Sequence, residues 1–146
     1  MAAPTINSST VIKRFSNSIE ITTATTNENI LGCMASSGQE ILVTSFLVHN
    51  DDGTNAATFQ LKKYNQDGTP MNSNVGISQA AIGADTVAGA SLGGYHNISV
   101  AAQNTFVAID STMGWTLKEN ESLVFQASAA NDLAVWLSYT VYGPDA

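Results

Sequence analysis

Apolar and polar residues alternate with a period of two along most of this chain, and segments with the 3.6-residue period of a helix are scarce. ENILGCMA (28–35) and EILVTSFLVHN (40–50) read as strands joined by the turn SSGQ (36–39). ATFQLKKYN (57–65) alternates cleanly, with Phe59 and Leu61 on one face and Thr58, Gln60 and Lys62 on the other. YHNISVA (95–101), NTFVAID (104–110) and MGWTL (113–117) continue the series. DDGTNA (51–56) and QDGTP (66–70) punctuate it with Asp-Gly pairs, which supply the positive φ of tight turns. Short strands with turn signals about every 8–12 residues, and no βαβ alternation, predict an all-β fold: a jelly-roll-like antiparallel β-sandwich with an extended N-terminal arm.

Two stretches carry more than simple alternation. EILVTSFLVHN is apolar on both faces, with Leu42, Phe46 and Val48 on one and Ile41, Val43 and Leu47 on the other. Such a strand is expected at the centre of a sheet, or with its second face covered by a partner. The stretch 116–143, TLKENESLVFQASAANDLAVWLSYTVYG, reads as a hairpin. Its core face carries Leu123, Phe125 and Ala127, then Leu133, Val135, Leu137, Tyr139 and Val141. Trp136 and Tyr142 then point away from the core. A Trp so placed is covered by the N-terminal segment, buried between subunits, or used to stack on a sugar; Trp and Tyr are enriched in interface hot spots.

Residues 1–27, rich in Thr, Ser and Asn, form either an arm or edge strands, from TVIKR (10–14) and SIEITTAT (18–25). As an arm ordering on a neighbouring subunit, this segment makes Phe15, Ile19 and Ile21 interface candidates beside Trp136 and Tyr142. The sandwich domain then spans 28–143, with 144–146 a short tail. Residues 70–94 are mostly Gly, Ala, Ser and Asn and predict a long surface loop with at most one helical turn. Gly83 and Gly89 each cost a helix there about 1 kcal/mol relative to Ala.

Composition narrows the function. The 146 residues fit one domain, and 44% hydrophobic content fills a core. Only 12% of residues are charged, so the surface is largely Ser, Thr, Asn, Gln, Gly and Ala. That suits a protein covered by partners or by copies of itself. A net charge of −7 with five Lys and Arg in all leaves no basic patch for nucleic acid, and an acidic surface is repelled by anionic membranes. No apolar stretch approaches the ~20 residues of a membrane-spanning helix. Cys33 is the single cysteine, which excludes an intramolecular disulfide and a cysteine zinc site; within ILGCM it is expected to be a small buried residue. MAAPTINSST lacks the basic and apolar segments of a secretory signal, so synthesis and first folding are expected in a cytoplasm.

Candidate chemistry is sparse. His49 ends a strand and His96 begins one, with no GxSxG elbow and no metal-ligand spacing around either. NDDGTN (50–55) lacks the alternating acids and twelfth-position Glu of a calcium loop, and is expected to be an Asx-assisted turn. Asp110, Glu119 and Glu121 all fall at strand ends. No catalytic, cofactor-binding or metal-ligating residue and no cofactor are expected, and the protein reads as non-enzymatic.

SSGQEILVTSFLVHN (36–50), VAAQNTFVAID (100–110) and above all the ending WTLKENESLVFQASAANDLAVWLSYTVYG (115–143) resemble a group of small tailed-bacteriophage virion proteins of jelly-roll or β-sandwich fold. The resemblance covers roughly residues 28–65 and 95–143. The N-terminal segment, the 70–94 loop, and Lys118-Glu119-Asn120-Glu121 in place of a Gly-Asp turn depart from it. It implies a structural protein of the virion, assembled in the host cytoplasm. The first expectation is a decoration or cement protein, a homo-oligomer with a trimer favoured, bound to the major capsid protein or other virion proteins. A neck, collar or tail component is the alternative, and a carbohydrate-binding jelly roll is a further one.

Overall fold

The computed structural model describes residues 11–25, 28–33, 38–65, 90–110, 112 and 114–143. Among the described residues nine strands follow in chain order: β1 (Val11–Glu20), β2 (Glu28–Gly32), β3 (Glu40–Asn50), β4 (Ala57–Asn65), β5 (Ala90–Val100), β6 (Thr105–Ile109), β7 (Trp115–Leu117), β8 (Glu121–Ala127) and β9 (Leu133–Tyr142). All pairings are antiparallel. One sheet runs β1-β9-β3-β6, with β7 pairing the other end of β3, and the second runs β2-β8-β4-β5.

These pairings define the topology. β1 pairs with β9, β2 with β8, β3 with β6 and β7, and β4 with β5. The chain is thus one long antiparallel ribbon, folded near β4–β5 and rolled so that β9 also meets β3 and β8 also meets β4. This is a jelly roll, with the two sheets packed face to face.

The 116–143 stretch is not a hairpin. β8 lies in the four-stranded sheet and β9 in the five-stranded one. The alternation of each was read correctly; their apolar faces meet across the core instead of lying side by side. Residues 11–20, read as arm or edge strand, form an edge strand against the whole of β9, from Val11 opposite Tyr142 to Glu20 opposite Ala134. Ala90–Gly94, assigned to the long loop, belong to β5. The remainder of that loop and its helical turn lie outside the described residues, as do residues 1–10 and the tail.

The two-sided pattern of β3 resolves through a β-bulge. Val43 pairs with Tyr139 and Ser45 with Ser138, leaving Thr44 as an extra residue. The Thr44 hydroxyl donates to the Ser138 carbonyl at 3.2 Å. One inserted residue reverses the phase of all that follow. Ile41 and Val43 before it, and Phe46 and Val48 after it, all point inward and are fully buried. Leu42 and Leu47 face outward. The strand is central, as expected, but its apolar residues are divided differently.

An aromatic cluster joins the sheets. Phe125 stacks on Phe59 at 5.4 Å and on Phe46 at 6.1 Å. Tyr95 meets Phe106 edge-on at 5.5 Å and stacks on Trp115 at 6.0 Å. The Tyr95 hydroxyl donates to the Ala108 carbonyl of the opposite sheet at 2.6 Å, so a partly buried polar group is satisfied. Cys33 is buried, with its Sγ 3.3 Å from the Gln39 carbonyl oxygen.

Candidate functional site

Outward positions of the five-stranded sheet fall into four rows across the strands. The first reads Arg14, Thr140, Leu42, Thr116 and the second Ser16, Ser138, Ser45. The third is Ser18, Trp136, Leu47, Val107, and the fourth Glu20, Ala134, His49, Thr105. Trp136 is 59% exposed and Val107 53%, the large apolar side chains most open to solvent among the described residues. Leu47 lies between them and completes a continuous apolar ridge. Beside it the serine row carries short side chains, and the Ser138 hydroxyl donates to the Ser16 hydroxyl at 3.4 Å. The outer face of the four-stranded sheet differs, because its outward Val124 and Asn29 are both 2% exposed.

A depression of about 400 Å³ opens next to Trp136, lined by Ser18, Leu47, His49, Thr105, Ala134 and Val135. His49 Nδ1 lies 2.8 Å from the Thr105 hydroxyl, and its Nε2 lies 3.4 Å from Asp51. The site is therefore an apolar floor with one polar edge.

Of the five interface candidates, Trp136 faces outward in the open and Tyr142 lies half-buried at the far end of the same strand. Ile19 and Ile21 are corrected by the structure. Both are buried in the core, because β1 and its continuation deliver them inward opposite Val135 and Leu133. Phe15 holds a β1 position opposite Tyr139; its side chain lies outside the described residues. Leu47 and Val107 were missed. Strict alternation groups Leu47 with Ile41 and Val43, since a bulge leaves no mark in the alternation itself. Val107 was read as an ordinary strand residue.

The titratable residues singled out in the sequence sit in turns and local pairs. His49 and His96 stand on different sheets, and His96 Nε2 is 3.3 Å from the Asn97 amide nitrogen. In NDDGTN the Asp52 carboxylate accepts from the backbone N–H of Thr54 (2.8 Å) and Asn55 (3.0 Å), which hold it below its ordinary value of 3.8. Buried Asn50 accepts from the Asp52 N–H and donates to the carbonyls of Asn55 and Val100. This is the Asx-assisted turn expected. Asp110 accepts from the Thr112 N–H and hydroxyl, and Glu121 pairs with Lys63 at 3.0 Å. Among the described residues, no group of three or more His, Cys, Asp or Glu is placed to hold a metal ion.

No protein-family model matches the chain, and no curated protein matches it. Among solved structures, a chain from a study of Bacillus endospore appendages, described as "a novel family of disulfide-linked pili", is 15% identical. The comparison covers 99% of this chain and 98% of that one, with a TM-score of 0.47, a likeness too remote to bear on function.

Proposed function

We propose that this protein is a non-enzymatic structural component of a bacteriophage virion, a decoration or cement protein that assembles on a capsid and stabilises it. The open Trp136–Leu47–Val107 ridge carries the reading. A continuous apolar surface centred on a Trp, on rigid paired strands, is the kind of surface that protein contacts cover. The low charge density and the resemblance of 36–50, 100–110 and 115–143 to phage virion proteins support the setting. The jelly roll supplies a stiff block, and the outer face of its five-stranded sheet is a protein–protein contact of the assembly. Weak contacts multiplied by symmetry then hold capsid subunits together.

Quantitative mass spectrometry of purified particles tests this. Hundreds of copies per virion, with capsids losing heat resistance when the protein is removed, is the expected result. A low axial copy number assigns it to the neck, collar or tail instead, and absence from particles ends the virion reading. A carbohydrate-binding role has one observation in its favour, the depression beside Trp136 edged by His49 and Thr105. Glycan binding that Trp136→Ala abolishes, in a protein absent from virions, would establish it.

A further inference from the structure

We infer that the outer face of the five-stranded sheet is occupied by a second copy of this chain, in a face-to-face dimer whose two-fold axis runs across the strands between the serine row and the Trp136 row. The inference rests on the reading of this face as a protein contact, and names the partner.

Such an axis lays each strand over its own copy in the opposite direction. The serine row of one copy then lies under the apolar ridge of the other. Trp136 meets Ser138 of the partner subunit, and Leu47 meets Ser45 of the partner subunit. A ridge thus enters a low row twice, once from each copy. An axis along the strands would instead set ridge against ridge.

Charge selects the same arrangement. Across the four rows the charged side chains are Arg14 and Glu20, both exposed, one in the first row and one in the fourth. Six residues of strand separate them by about 20 Å, too far to pair within one chain. The axis brings each Arg14 over the partner's Glu20, making two ion pairs at the rim. Among the other positions of the four rows His49 is the titratable one, and Asp51 lies 3.4 Å from its Nε2 at the rim. Four strands by six residues span roughly 20 Å by 20 Å, so the dimer buries on the order of 800–1,000 Å² in total, the size of a weak, reversible interface.

Sedimentation equilibrium of the full chain across micromolar to near-millimolar concentrations tests the inference. The expected result is a monomer–dimer equilibrium that Trp136→Ala weakens by roughly 30-fold or more while leaving the circular dichroism unchanged. Arg14→Glu or Glu20→Arg alone should each weaken it by about 3- to 10-fold, and the double reversal should restore the affinity, more so at low salt. A monomer throughout, a trimer, a dimer insensitive to these changes, or a double reversal that fails to rescue overturns it. A monomer found at hundreds of copies per virion would sink this inference and leave the proposed function standing; a dimer absent from particles would do the reverse.

Discussion

Asn120, in the turn between β7 and β8, sits at φ 64°, and its N–H donates to the Cys33 carbonyl at 2.9 Å. Asn tolerates this left-handed backbone better than any β-branched residue does. Asn120→Gly should therefore change stability by less than about 0.5 kcal/mol, and Asn120→Val should cost about 1–2 kcal/mol in urea denaturation. Asp52 behaves differently because its contribution is ionic. Its folded pKa lies below 3.8, so its stabilisation is complete above that value and is lost as pH falls through the folded pKa. Asp52→Ala should lower the melting temperature at pH 7, and the gap from the parent protein should narrow as pH falls below 3.8 and through the lower folded pKa. The sequence displayed both turns through their Asn and Asp residues. It did not display that Asn120 donates its N–H to the Cys33 carbonyl or that Asn50 donates its amide to the Val100 carbonyl, because those partners come from distant segments.

Element boundaries show the same division. The strands were legible from alternation, yet bulges and crossings were not. Thr44 shifts the phase of β3, and β8 and β9 separate into different sheets. Gly94 shows a close approach that only pairing creates. At φ 142°, a Cβ there would lie 2.2 Å from the Leu61 carbonyl oxygen of β4. Gly94→Ala should force β5 away from β4 and destabilise the fold by at least about 1–3 kcal/mol, read as a lower denaturation midpoint. Phe125, fully buried and stacked on rings from both sheets, should cost about 3–5 kcal/mol when changed to Ala.

At the scale of the whole molecule, the first strand pairs with the last, so the sandwich closes only when β1 reaches β9. A chain beginning at residue 28, where the sequence placed the start of the domain, lacks β1 and the buried Ile19 and Ile21. It should fail to show the cooperative thermal transition of the full chain, because β9 is left with an unpaired edge above an opened core. The exposed ridge belongs to this scale too. Trp136 was visible in the sequence as an outward aromatic, whereas its neighbours Leu47 and Val107 come from two other strands.

Local alternation, turn residues and low charge by themselves determined an all-β sandwich, its inward residues on β4, β8 and β9, and a surface poor in charge. These follow from periods of two and from side-chain chemistry, which every short segment carries. Tertiary structure alone decided that Ile19 and Ile21 are core, that β8 and β9 part, and that Trp136, Leu47 and Val107 form one ridge beside a row of serines. Each of these depends on register between segments far apart in the chain, and a single inserted residue such as Thr44 is enough to reverse it.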